Sequence, residues 1–546
     1  MTYIVLAVAS LILALRAKLR SSILFFNFFP IWIPRFALTV PSKTSFSIDF
    51  WDTCVCRLLD SQSIRLQSLK NVLTEFSSDH DPADLLSIQN DIAKGLSTFS
   101  LTSGQDEEYM LSSSWVYTSI LIFPEEEKQR KFVHRILEEE IKLSKEFTYM
   151  HPITKKFLRN AISQNRICIV SDFEGDERYI NEVLSNHMES MDETLEIIAS
   201  SNHLKNKRSG NLFKYLIAKN KSVKVHIGDN FHADVFSARE NGLTAIHAVT
   251  ITTYLNEFFQ KLNQIVKFFV KLIIPSLKHS KEIDILRFIL REWRSQVVST
   301  ISDKSDLFFI GSEGAFLSHG FIDGSVPYKS AACVSFGRKV ALAAALHRFP
   351  IQVIARLLVE NVSSPEMDNF FEVDFTNRFG ESLIIGNISN LNKFSHERAH
   401  WSNLRYDKLN SMLDSENPHL IDVGYKATFA YCFNLLMGGR DKVMYSQIFI
   451  NPPYKSLLER EWISSFQHSS ESAFAVPLNT KLIEVLLSLG PRAPKNVGVI
   501  KEDLWSNPKR KKLTQLDLWR LMKKPSKKLN KFISDVDLHD DIKIAI

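Results

Sequence analysis

The chain has only five cysteines, at 54, 56, 168, 333 and 432. The number is odd, no two stand at CxxC spacing, and none pairs with histidines at zinc-finger spacing. The pattern argues against a disulfide framework and a structural zinc, and a reducing cytoplasm fits best. Long hydrophobic runs are also missing. Residues 4–15 make a run of twelve, and residues 23–33 make a second run that ends between Pro30 and Pro34. Neither reaches the roughly 20 apolar residues that cross a bilayer. No positive charge precedes the first run, so it does not read as a signal peptide. A hydrophobic hairpin or peripheral anchor, an unstructured leader, and a start codon placed too far upstream remain the alternatives for residues 1–43. Charge of one sign is scarce: +6 over 546 residues is mild and gives no argument for nucleic acid. No turn fits a dinucleotide or P-loop fingerprint.

What is present is an ordinary globular composition, 45% apolar and 23% charged, and a length that suits two or three domains. Four stretches carry chemistry. Phe46-Ser47-Ile48-Asp49-Phe50-Trp51-Asp52-Thr53 reads as a buried parallel strand that presents Asp49 at its carboxyl end, where open α/β sheets place ligands. Arg166-Ile167-Cys168-Ile169-Val170-Ser171-Asp172 is a second apolar strand ending in a hydroxyl. Lys207-Arg208-Ser209-Gly210 sets a Lys before a helix start. Val223-Lys224-Val225-His226-Ile227-Gly228-Asp229-Asn230 is a third strand, ending in Gly-Asp, with Asp234 five residues beyond Asp229. After it, residues 235–242 read as a helix closed by Gly242.

Carboxylate, hydroxyl, Lys and paired carboxylates in this order resemble the haloacid dehalogenase (HAD) superfamily of phosphotransferases over residues 44–250. The resemblance implies an α/β fold, a Rossmann-like core with a helical cap. It implies Asp49 as the nucleophile of an aspartyl-phosphate mechanism and Ser171 as a phosphoryl hydrogen-bond donor. Lys207 is the implied point charge, with Lys205 and Arg208 as its competitors. Mg²⁺ would be held by Asp49, Asp229, Asp234 and the backbone carbonyl of Trp51. The cap is expected between the first two motifs, over residues 57–165. There the pattern is helical and charged: a run at 125–131 reads as a solvated helix face, and an apolar stripe follows at 132, 133, 136, 137 and 141. One position departs from the family's phosphatases. Where they carry a general acid, this chain has Trp51, and Asp52 follows one residue later. The dehalogenase branch also has an aromatic residue there and attacks carbon. Asp52 as substitute acid, a slow phosphatase, and a HAD fold without catalysis are the alternatives.

Beyond residue 250 the pattern changes. Residues 251–284 read as a basic amphipathic helix, a linker or a membrane-surface element. Residues 285–505 alternate strands and helices, which predicts a second parallel α/β domain. Three stretches there, Ser312-Glu313-Gly314, Ser335-Phe336-Gly337-Arg338 and Ile421-Asp422-Val423-Gly424-Tyr425, resemble the second half of large HAD-like proteins found with bacterial polysaccharide biosynthesis enzymes. Residues 506–546 form a basic tail, a solvated one or a contact to an anionic membrane surface. The reading is therefore a bacterial, cytoplasmic Mg²⁺-dependent hydrolase, with peripheral contact at the inner membrane as a further expectation. Its substrate would be a phosphorylated sugar, polymer or lipid-linked intermediate, and glycosyltransferases its partners. A non-catalytic scaffold for glycan assembly is the competing reading.

Overall fold

The structure is a computed structural model. It describes residues 44–248 except 77, 79, 165 and 189–194, and residues 297–500 except 311–320, 322–325, 335–337, 426–427, 438–443, 451–462 and 466–497. The leader, the linker, the basic tail and the Ser312-Glu313-Gly314 turn lie outside the described residues. The described chain forms two compact units. One comprises residues of 1–277 together with Leu357–Ile388; the other comprises residues of 278–356 and 389–546. The stretch Leu357–Ile388 thus belongs to the first unit, although the sequence pattern places it within the second domain.

The first unit is built on a five-stranded sheet of order β5-β4-β1-β6-β7, every neighbouring pair parallel. The strands are β1 (Ser45–Ile48), β4 (Ile167–Ser171), β5 (Glu196–Ala199), β6 (Val223–Gly228) and β7 (Thr244–His247). All five residues of β4 are buried, as are Phe46, Ser47 and Ile48 of β1. A strand covered on both faces needs such continuous apolar sequence. The chain runs outward from β1 to β4 and β5, then returns to the other side of β1 as β6 and β7. The order reverses between β1 and β6, so the carboxyl ends of these two strands flank the topological switch point, where open α/β sheets bind ligands.

Two short strands, β2 (Cys56–Arg57) and β3 (Thr148–Tyr149), pair antiparallel and form a neck. Four helices stand between them: α1 (Ser61–Glu75), α2 (Pro82–Thr102), α3 (Leu111–Ile122) and α4 (Glu126–Glu146). Asp60 and Asp81 accept from the first-turn amides of α1 and α2, and Pro82 opens α2 at a position that tolerates its missing N–H. The neck closes this helical insertion at Thr148–Tyr149. The next helix, α5 (Pro152–Ile162), lies outside the neck and leads into β4, so the insertion ends earlier than the 165 read from sequence. In α4 the expected stripe buries Phe132 and Ile136, but also Glu139 and Glu140. They are tolerated because they have partners. Trp115 Nε1 donates to Glu140 at 2.7 Å, Asn71 Nδ2 donates to Glu139 at 2.8 Å, and the buried Arg65 pairs with Glu140 and Glu174.

The segment Leu357–Ile388 carries helices α6 (Ser364–Phe371) and α7 (Phe375–Ile384) and packs on α2 and α3. Tyr117 Oη donates to the Leu383 carbonyl at 2.9 Å, and Thr98 Oγ1 donates to Asn361 Oδ1 at 2.6 Å. The approach is closest at Gly95, where an added Cβ would lie 2.1 Å from the Leu358 carbonyl oxygen. Alanine is the better helix former by about 1 kcal/mol. Here, however, the clash is with backbone, and overpacking of this kind costs about 1–3 kcal/mol. Gly95→Ala should therefore lower the thermal midpoint of unfolding; an unchanged or higher midpoint would show that this packing is not as described.

The second unit carries the expected second parallel sheet, with strands β8 (Asp306–Ile310), β9 (Ser330–Val334), β10 (Pro418–Tyr425), β11 (Met444–Ile450), β12 (Ile463–Ser465) and β13 (Gly498–Ile500). Their order is β12-β11-β10-β8-β9-β13. Among the described residues no helix is long and apolar enough to cross a membrane.

Candidate active site

Alternation along two neighbouring strands sets the floor of the site. Successive side chains of a strand point to opposite faces, so Ser47 and Asp49 share one face of β1 and its extension. His226 and Gly228 likewise share one face of β6. Ser47 is the register partner of His226, and the Asp49 amide continues the ladder by donating to the Ile227 carbonyl at 2.8 Å. Gly228 is required here. An added Cβ would stand 2.3 Å from Asp234 Cγ, so only glycine admits the Asp234 carboxylate above the strand end. Asp234 arrives on a π-helical turn, Phe231–Phe236, which Asn230 caps by accepting from the amides of His232 and Ala233. Such turns are frequent at functional sites.

Lys207 lies at the centre. It is 3% exposed, and its Nζ donates to Asp49 Oδ1 at 2.6 Å and to Asp234 Oδ1 at 2.5 Å. Asp234 also accepts from His226 Nε2 at 3.2 Å and from the Asn230 amide at 2.9 Å. Thr53 Oγ1 stands 3.5 Å from both Asp49 Oδ2 and Asp229 Oδ1. One ligand oxygen from each of Asp49, Asp229 and Asp234 falls within 4.8 Å of the others. Of the three basic residues in the loop, Lys207 reaches the carboxylates. Lys205 lies over the Tyr215 ring, and Arg208 is exposed.

The loop that carries Lys207 is held from two sides. Asp172 Oδ1 accepts from the Lys207 amide at 2.7 Å. From the turn between α2 and α3, Asp106 accepts from the Asn206 amide at 2.8 Å, from Ser209 Oγ at 2.6 Å and from Asn211 Nδ2 at 2.9 Å. The helical insertion therefore sits at the carboxyl edge of the sheet and grips the Lys207 loop directly. Ser171, at the end of β4, is fully buried and its Oγ has no hydrogen-bond partner among the described residues. A buried hydroxyl without a partner is costly, and a bound group with oxygen acceptors would satisfy it.

The loop after Asp49 is a compact turn in which the amides of Cys54 and Val55 donate to the Phe50 carbonyl. Trp51 is buried there, edge-on to Phe50 and Phe173, with the Arg57 guanidinium over its ring. Asp52 adopts a left-handed φ of 61°, and its carboxylate accepts from the Arg57 amide at 3.2 Å and Nη2 at 2.7 Å. Asp tolerates that conformation better than most residues.

Electrostatics follow from burial and from one ammonium among several carboxylates. Burial pushes the Asp49 carboxyl well above the ordinary carboxylate range, against the pull of Lys207. Burial, then the charges of Asp52 and Asp234, pushes Asp229 up to about 7. Asp234 is held low despite burial, by Lys207 and by hydrogen bonds from His226 and Lys207. Three carboxylates gathered around one ammonium, which contacts two of them, leave excess negative charge, and an oxygen-only donor set of this kind suits a hard divalent cation. Of the three, Asp234 is already bound to three donors.

A pH dependence follows. In the metal-free protein the folded state binds a proton at Asp229 more tightly than the unfolded chain, so this group makes stability fall as pH rises from about 4 to about 7. A divalent cation relieves that repulsion only when the carboxyls are ionised. Mg²⁺ should thus raise the thermal midpoint more at about pH 8 than at about pH 5. Equal shifts, or none, in a chelator-controlled melting series would rule out a carboxylate metal site here.

The sequence pattern did not single out Ser47, His226, Thr53, Asp106 or Asp172. For Ser47 and His226 a signal existed: each is polar inside an apolar strand, two residues before a motif residue, and so on its face. Asp106 gave none, because its partners lie 100 or more residues away.

No family model matches the sequence, and no curated protein matches it. Solved structures give matches of low similarity. One is a 2-haloacid dehalogenase from Pseudomonas syringae pv. Tomato DC3000, at 14% identity and a TM-score of 0.29, covering 37% of this chain and 86% of that one. Two further dehalogenase structures, the first with an intermediate complex, match at 12% and 11% identity with TM-scores of 0.25 and 0.24, each over 38% of this chain and 86% of the other. The likeness is confined to a minor part of the chain, and the geometry described above carries the functional reading.

Proposed function

We propose that the first unit is a Mg²⁺-dependent hydrolase of the HAD type, acting on phosphate esters or anhydrides through an aspartyl-phosphate on Asp49. The observation that carries this reading is Lys207 Nζ, buried between Asp49 and Asp234 at 2.6 and 2.5 Å, close to the end of the strand whose Ser171 Oγ lacks a partner among the described residues. An attacking carboxylate and a phosphoryl group repel each other; Lys207 and the Ser171 hydroxyl supply positive charge and a donor to offset that. Asp49, Asp229, Asp234 and the Trp51 carbonyl would hold the Mg²⁺. When bound, the ion supplies charge neutralisation at the phosphoryl oxygens. Asp49 forms a bond to phosphorus as the bond to the leaving oxygen breaks, and water then hydrolyses the aspartyl-phosphate. The helical insertion, fastened to the Lys207 loop by Asp106, shields the site from water and selects the substrate.

The leaving group must depart without a strong acid beside it. Trp51 has no titratable carboxyl, and the Asp52 carboxylate is engaged by Arg57. Such help is worth about 10²–10⁴-fold. Aryl and acyl phosphates should accordingly be turned over far faster than sugar phosphates in a phosphatase screen with Mg²⁺. Asp52→Asn should slow both classes alike, as expected of a residue that holds the loop; a selective loss with alkyl phosphates would make Asp52 the acid after all. A protein that hydrolyses neither class and releases no halide from 2-haloacids is not a hydrolase of this type. The reading then passes to the second one, a non-catalytic HAD-fold scaffold. The setting we propose for either is bacterial cell-surface glycan assembly, with a phosphorylated sugar, polymer or lipid-linked substrate, glycosyltransferase partners and a cytoplasmic, membrane-peripheral place. It rests on the sequence resemblance of the second half.

A further inference from the structure

We propose that Ser47 and His226 are positioning residues for this site: a buried cross-strand pair that holds Asp234, and through Asp234 the Lys207 ammonium, in line with Asp49. The role in turnover rests on the hydrolase reading above; the geometry of the pair does not.

Both side chains are fully buried on the face that carries Asp49 and Gly228. Ser47 Oγ lies 2.8 Å from His226 Nδ1, and His226 Nε2 lies 3.2 Å from Asp234 Oδ1. The Phe213 ring stands edge-on to the imidazole, centroids 4.8 Å apart, and fixes its plane. Together with the Lys207 contacts these make one chain of hydrogen bonds: Ser47, His226, Asp234, Lys207, Asp49. Its proton order follows from the partners. An ionised carboxylate only accepts, so Nε2 carries the imidazole proton. Nδ1 is then a bare acceptor, and Ser47 donates to it; the Val225 carbonyl, at 3.5 Å, is the poorer partner.

A histidine that merely filled the core would also need both nitrogens engaged; what distinguishes this one is the partner it has. This one serves the carboxylate oxygen that Lys207 also uses, while the Asn230 amide takes the other oxygen. The Asp234 carboxylate is therefore fixed at both oxygens and cannot rotate away from Lys207. Leucine at position 226 would leave Lys207 as the sole donor to Oδ1. Ser47 in turn keeps the imidazole from flipping.

The test uses the full-length protein with an aryl phosphate and Mg²⁺. His226→Leu should lower kcat by about 10–100-fold, the range seen when outer-shell partners of a site are removed, with KM unchanged. His226→Gln, whose amide nitrogen can reach Asp234, should recover most of the loss. A glutamine variant no better than leucine, or a leucine variant equal to the parent, overturns the proposal. An independent reading comes from nitrogen NMR of protein labelled at histidine. His226 should show the tautomer protonated at Nε2, with its bare-nitrogen signal moved by Ser47→Ala and its N–H signal moved by Asp234→Asn. The opposite tautomer, or signals that neither variant moves, overturns the pair even where His226→Leu fails to fold. If the parent turns over no phosphate ester, the hydrolase reading falls, and the NMR result alone decides whether the pair holds Asp234.

Discussion

Asp49→Asn should abolish turnover, by on the order of 10⁴–10⁶-fold, the scale on which nucleophile replacements act. An amide is a poor nucleophile, and no other described carboxylate can take its place. Asp234 is bound to three donors, and Asp229 stands at the end of the neighbouring strand on the far side of the switch point. The variant should still fold, because the Asp49 amide keeps its bond to the Ile227 carbonyl. Steady-state kinetics with an aryl phosphate measure the loss. Acid-quenched parent protein should in addition carry a phosphoryl adduct on the peptide containing residue 49, and the variant should not. Residual turnover within about tenfold of the parent would move the nucleophile elsewhere.

Lys207→Met should produce the largest change in stability. Removing one partner of a buried ion pair leaves its carboxylates uncompensated and costs about 3–5 kcal/mol. Here two carboxylates, Asp49 and Asp234, lose the same ammonium. The pH dependence has a defined sign. Asp234 and Asp49, with Asp172 near, flank Lys207 and raise its pKa despite burial. Its contribution is therefore present throughout the neutral range and is lost only above the ordinary lysine range. In the variant both carboxyls rise and take up protons on folding, so its stability falls as pH climbs through neutrality. The gap between parent and variant should widen from about pH 5 to about pH 8 in urea unfolding. A variant within about 0.5 kcal/mol of the parent, the scale of a surface substitution, would show that Lys207 is not the buried centre of the site.

The strands that carry the site were legible because a parallel strand buried on both faces must be written as an apolar run, and its chemistry must fall at the carboxyl end. Asp49, Ser171 and Asp229 could be placed for that reason alone. The helical insertion was legible as periodicity, but its end was not. Nothing in residues 147–165 signals that Thr148–Tyr149 pairs back to Cys56–Arg57, because a two-residue strand carries no period. The burial of Glu139 and Glu140 gave no signal for a related reason. Burial of a carboxylate depends on a partner such as Trp115 or Arg65, far away in the chain and absent from any local pattern. Asp52 is a third case: its identity suggests an acid, while its left-handed backbone and its grip on Arg57 make it a turn residue.

The return of Leu357–Ile388 to the first unit bears on how such a protein can be divided, in the laboratory or in descent. The first unit is not one continuous stretch of chain. A cut after residue 250 yields the whole five-stranded sheet and every residue of the candidate site, yet strips α2 and α3 of their neighbour. The surface laid bare would include Gly95, Phe99 and Tyr117, shaped to receive backbone and rings of another stretch, and apolar faces of that kind drive self-association. A shortened gene must keep codons 357–388, spliced in or supplied as a separate peptide, if its product is to stay in solution. By the same logic, neither half can be exchanged as a cassette between relatives unless both sides of that seam change together.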